Sequence, residues 1–218
     1  MQNLILLLAM PREVFESLKS RSQWSSPFIV VVIGLILKNW INSCWMAQSL
    51  TFNITMLLVT TISITIIIFI SWSFISTFLY WAIYLIKTDN IVTYNRIFSI
   101  VSYCGVIFLL GEILNFLLIH AQLIPDSLFV LPHRFPIGLD VLVMERNPHP
   151  ALAILLYSIN PFTFWYLMTM SIGLSTVTGL SKTKARVLSF MIYLLIVGFV
   201  IGVLLITGGT RISIKFGA

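Results

Sequence analysis

Two ionisable residues stand inside long apolar runs: Lys38, after the stretch from Pro27 to Leu37, and Glu112, within Ile97 to Ile119. A charge held in hydrocarbon at mid-helix costs at least about 2.5–3.5 kcal/mol unless it finds a partner, water or a route to the interface. Lys38 lies 11 residues past Pro27 and Glu112 lies 15 past Ile97. As helices these separations are about 16 Å and about 22 Å, within reach of a long lysine side chain if both helices run the same way. The chemistry expected is a salt bridge or shared polar cavity, which Asn39, Asn42 and Asn115 could join. The other arrangement keeps them apart, with Lys38 snorkelling and Glu112 facing headgroups. A proton- or ion-coupling role would be a further step beyond pairing.

Other chemistry is thin. His120, His133 and His149 share one loop with Asp126, Asp140 and Glu145, but are separated by 13 and 16 residues with prolines between. Metal ligands need set spacing or fixed convergence, so no metal is expected. There is no GxSxG elbow, no HExxH and no Walker sequence. Cys44 and Cys104 lie in apolar stretches without a CxxC and read as small buried hydrophobes. No catalytic residue and no cofactor is expected. The hydroxyls Thr60, Thr61, Ser63, Thr65, Ser71, Ser73, Ser76 and Thr77 would mostly bond back to their own helix, a polar lining being the alternative.

The elements that hold these residues follow from composition. The chain has 218 residues, 59% hydrophobic and 9% charged. Soluble domains carry about 25% charged residues, so this chain cannot coat a soluble globule. An ordinary cytosolic enzyme, a disordered tail and a nucleic-acid-binding domain are excluded. The net charge of +6 comes from residues between apolar runs, where loop bias explains it without a nucleic-acid partner. Positions 39 to 86 hold 48 residues without Asp, Glu, Lys or Arg. As one helix they would run about 72 Å, more than twice a bilayer core. The chain must turn back, and Gln48 to Asn53 is the polar break.

The resulting fold class is all-α: a polytopic membrane protein with five transmembrane helices, at about 27–48, 54–86, 97–119, 161–180 and 185–207. The second is long enough to tilt or project from the bilayer, and Trp81, Tyr84 and Lys87 mark its interfacial end. An outer loop spans 120–160; its apolar pieces Ile137–Met144 and Ala151–Ile159 are too short to cross and suit interfacial segments. Asn160-Pro161 reads as an N-cap with Pro at the first helical position. A short amphipathic interfacial helix is expected over 11–22, with Met10, Val14, Phe15 and Leu18 on one face and Arg12, Glu13, Glu16 and Lys19 opposite. It would lie in the headgroups, closed by Trp24, or dock a partner. Leu4 to Met10 lacks a basic flank, so a cleaved signal is not expected.

Placing the N-terminus inside puts eight Lys and Arg in inside loops (Arg12, Lys19, Arg21, Lys87, Arg96, Lys182, Lys184, Arg186) and four outside (Arg134, Arg146, Arg211, Lys215). The expected topology is therefore an inner-membrane protein with a cytoplasmic N-terminus and an outer C-terminus. Gly198 and Gly202 form a GxxxG on the fifth span, and Ser171, Ser175 and Gly179 a small-residue ladder on the fourth. Small residues let backbones approach. They suit packing of spans four and five on one another, or a homodimer through Gly198 and Gly202.

Pro11-Arg-Glu-Val-Phe15, then Trp24 and Pro27 opening an apolar run, resembles the start of the bacterial branch of the YIP family. Pro161, Phe162 and Trp165 after Asn160, with Gly173-Leu174 and Gly179-Leu180-Ser-Lys beyond, resemble that family's signature around its fourth span. The chain departs in having Asn160 where an acid is common and in its long 120–160 loop. The resemblance implies one YIP-like transmembrane domain over 1–218, all-helical and without known catalysis. Eukaryotic relatives are linked to Rab-type GTPases through a long cytoplasmic N-terminal region; only about 26 residues precede the first span here, so GTPase binding is not carried over. The expectation is a non-enzymatic membrane organiser or accessory subunit, in contact with the lipid bilayer and with a membrane-protein partner or a second copy. The alternative is a small transporter or channel with a cavity lined by Lys38 and Glu112.

Overall fold

A computed structural model describes residues 2–20, 23–46, 54–86, 92–120, 138–139, 142 and 150–206. Eight helices appear among them: α1 (Gln2–Ala9), α2 (Pro11–Ser17), α3 (Ser25–Met46), α4 (Ile54–Ile86), α5 (Tyr94–His120), α6 (Pro150–Ser158), α7 (Pro161–Thr178) and α8 (Lys182–Ile206). Helices are what apolar runs without internal proline must form in lipid, because only they satisfy every backbone group within the segment. Among the described residues, α4, α5 and α8 are each long and apolar enough to cross a bilayer. α6 and α7 qualify together as one bent pair, while α3 is apolar over Ser25–Ile41, a shorter stretch.

The bundle is built around α5. Its residues from Ile97 to Ile107 are all buried, whereas the N-terminal half of α4 is largely uncovered. At four glycines within the helices, side chains from other helices come close. Leu109 of α5 sits 2.7 Å from where a Cβ on Gly34 of α3 would stand. The Trp72 indole of α4 fills that place on Gly105 of α5. Phe162 of α7 comes to 3.1 Å at Gly111 of α5, and at Gly173 of α7 Ile100 of α5 comes to 2.8 Å and Phe15 of α2 to 3.0 Å. These pairs also fix direction. α3 runs with α5, while α4 and α7 run against it. An aromatic cluster ties α3, α4 and α5 together near one end: Trp24 meets Phe98 edge-on at 5.3 Å, and Phe28 meets Trp72 at 5.5 Å.

The segment expected as an interfacial piece of the outer loop, Ala151–Ile159, is helical to Ser158 and meets α7 at 57°. Nine residues cannot cross alone, but they pack on α8 and continue into α7. The break between them frees backbone groups, and side-chain and backbone bonds take these up. Asn160 Oδ1 accepts from the Thr163 amide at 2.9 Å, and its Nδ2 donates to the Tyr157 carbonyl at 2.9 Å. The Tyr193 hydroxyl donates to the Ser158 carbonyl, and the Leu139 amide to that of Ile159 at 3.2 Å. Pro161 follows at the first helical position, where its missing N–H costs nothing.

The N-terminal region also departs from expectation. Instead of one interfacial helix over 11–22, two short helices meet at Met10, and residues 21 and 22 lie outside the described set. Val14, Phe15 and Leu18 are buried in protein, joined by Leu7 from α1, while Met10 is half exposed. Proline at position 11 ends α1 and starts α2, so Met10 falls in the joint and leaves the helical face the spacing implied.

Candidate functional site

The Lys38 ammonium donates to Glu112 Oε2, joining α3 to α5. Glu112 is the more enclosed, its side chain 8% exposed against 25% for Lys38. The parallel course of α3 and α5, fixed by Gly34 against Leu109 and Trp24 against Phe98, brings the two to one level. Glu112 lies 16 residues beyond Arg96 on α5, about 24 Å along the helix. One turn on, Asn115 is buried and donates to the Tyr157 hydroxyl of α6 at 3.3 Å. Asn39 is partly buried beside Lys38, and the Asn42 side chain lies outside the described residues. Three helices thus contribute polar side chains close to the ion pair. In a low dielectric each charge offsets part of the other's desolvation cost. A closed ion pair of this kind can hold two helices in register.

A family model described as the Yip1 domain matches residues 5–205. The chain belongs to the Yip1 domain family. Comparison with curated proteins and with solved structures returns no match.

Within this Yip1 domain, the residues that carried the resemblance are architectural. Phe15 and Gly173 are in contact, and Phe162 fills the space at Gly111. Pro11 and Pro161 occupy the first helical positions of α2 and α7. Pro27 is buried in the first turn of α3, Trp24 packs on Phe28 and Phe98, and Trp165 is half-buried on α7. None of these aims a reactive group at Lys38 and Glu112.

The small residues fall into two sets. Ser171 is buried on α7. Ser175 and Gly179 finish that helix: Gly179 adopts φ 70°, its amide bonds to the Ser175 carbonyl at 3.1 Å, and Ser175 Oγ donates to the Leu180 carbonyl at 3.2 Å. A left-handed cap of this kind selects glycine. Gly198 and Gly202, in contrast, do not pack α8 onto α7: a Cβ on either would meet nothing within 4 Å. The buried stripe of α8 is Ala185, Leu188, Ser189 and Ile192. At about 100° per residue, Gly198 stands half a turn round from Ser189.

Among the described residues no group of three His, Cys, Asp or Glu could hold a metal ion. His133 and His149 lie outside those residues, as do the side chains of His120 and Cys44. Sequence reasoning missed α1, Tyr157 and the glycine partners. Leu4 to Ala9 has helix length and no breaker before Pro11, which was the available signal for α1. Tyr157 had none beyond its place in an apolar run.

Proposed function

We propose that this Yip1-domain protein is a non-enzymatic integral membrane protein that acts as an organiser or accessory subunit of a membrane complex. The observation that carries this reading is the closed Lys38–Glu112 pair. The two opposite charges neutralise one another between packed helices, which supports a scaffold more than a conduction path. The charge distribution supports an inner-membrane placement with a cytoplasmic N-terminus. Arg12, Lys19, Arg96, Lys182, Lys184 and Arg186 gather at the end of the bundle formed by α2, the start of α5 and the α7–α8 turn, in accord with the positive-inside rule. In this reading α3 and α7 each cross, giving five spans and an outer C-terminus.

The test is affinity purification of the tagged full chain in mild detergent, followed by mass spectrometry and flux measurement in proteoliposomes. A membrane protein recovered in stoichiometric amount, with no flux above empty vesicles, is expected. A protein recovered alone that moves ions, and stops doing so as Glu112→Gln, would replace this reading with a transporter.

A further inference from the structure

α1 and α2 divide their outward faces by chemistry. On α1, Leu7 is buried and Leu4 and Leu6 pack at its flanks, while Ile5 is 73% exposed, with Leu8, Ala9 and Met10 beside it. Nothing polar interrupts this outward face from Leu4 to Met10. On α2 the outward residues are Arg12, Glu13 and Glu16, with Lys19 just beyond. A helix that is apolar on both its inner and outer faces is not stable against water. The step from apolar to charged across Pro11 therefore marks a boundary between hydrocarbon and headgroups.

The charges around that boundary are one-sided. Phe15 against Gly173 and Tyr103 sets the helix pair at the end of the bundle that also carries Arg96 and the α7–α8 turn. Lys182, Lys184 and Arg186 are exposed there, as are Arg12 and Lys19; Arg96 is half-buried. The acids described at this end are Glu13 and Glu16, and Glu16 is engaged by Arg12 at 3.0 Å. Basic groups outnumber acids by six to two among the described residues.

We propose that α1 and this basic collar form a binding surface for an anionic phospholipid leaflet. Ile5, Leu8 and Met10 enter the acyl boundary, and Lys19, Lys182, Lys184 and Arg186 meet the headgroup phosphates. The two parts act together: apolar area supplies insertion, and charge selects the lipid. A neutral leaflet offers the first without the second. This inference is independent of whether the protein scaffolds a complex.

The experiment is amide hydrogen exchange over residues 2–20 in the full chain. The protein is placed in nanodiscs of pure phosphatidylcholine, and in nanodiscs where a quarter of the lipid is phosphatidylglycerol. Exchange should slow in the anionic discs, by about five-fold for each basic residue engaged. High salt and K182Q/K184Q should each return it towards the neutral value. Ile5→Gln, an exposed position that leaves Leu7 and Phe15 in place, should weaken protection in both lipids. Equal protection in neutral and anionic discs would overturn the proposal. So would protection that follows protein density in the disc rather than lipid charge, because a second copy would then be the occupant of the α1 face.

Discussion

The indole of Trp72 on α4 occupies the position a Cβ would take on Gly105 of α5. No methyl group fits there unless the ring or a backbone moves. Gly105→Ala should therefore destabilise the bundle by about 1–3 kcal/mol, the range for overpacking a close contact. Thermal unfolding in detergent measures it, with Trp72 fluorescence as a local reporter. An unchanged melting temperature would show that the two helices do not need this approach.

The intramembrane pair predicts an asymmetric double-mutant cycle. Lys38→Met leaves the better-enclosed Glu112 without its cation and should cost about 3–5 kcal/mol. Glu112→Met should cost less, because Lys38 is partly exposed and its long chain can reach the interface. The double variant should recover most of the loss. Unfolding free energies that simply add would mean the two residues do not interact.

Phe15 is fully buried against Tyr103 of α5 and Gly173 of α7. Phe15→Ala should open a cavity costing about 3–5 kcal/mol where the surroundings cannot collapse. The loss should release α1 and α2 before the rest of the bundle. Limited proteolysis after Arg12 and Lys19 checks this: cleavage should accelerate well below the global unfolding temperature.

Asn160 serves the elbow twice, through Oδ1 to Thr163 and Nδ2 to Tyr157. Asn160→Ala removes both and should cost at least about 1 kcal/mol, the usual loss for an N-cap. Asn160→Asp keeps the cap and loses only the donor, so it should be the milder change. Chemical denaturation of the two variants side by side gives the order.

Gly198 and Gly202 face open space on α8. Gly198→Leu and Gly202→Leu should leave the stability of one copy within about 0.5 kcal/mol. If sedimentation in detergent finds a dimer, the same variants report whether this face holds it.

The limits of the long helices were legible because apolar runs and their polar breaks are local: α4 spans Ile54–Ile86, where the charge-free stretch and the Gln48–Asn53 break put it. Lys38 and Glu112 could be placed at compatible depths because each sits a countable distance from the start of its run. Their direct contact needed more, namely α3 and α5 side by side with the same sense. Nothing in the spacing of Gly34, Gly105, Gly111 or Gly173 names the side chain each receives, since the partner comes from another helix. The GxxxG left two partners open for the same reason: the pattern says that a face is smooth, not where it points. The bend between α6 and α7 was not legible in Ala151–Ile159, because length measures one stretch at a time and says nothing of a continuation across a break.

At 33 residues, α4 is about 50 Å long, against a hydrocarbon thickness of about 30 Å. Even inclined by about 40°, the upper end seen for such helices, it spends only about 39 Å in oil. Roughly two turns must then stand among or beyond the lipid heads. Because its N-terminal half has few protein neighbours, the annular lipids are its main solvent there. Thickening or thinning the bilayer changes the surroundings of α4 before it changes those of the enclosed α5.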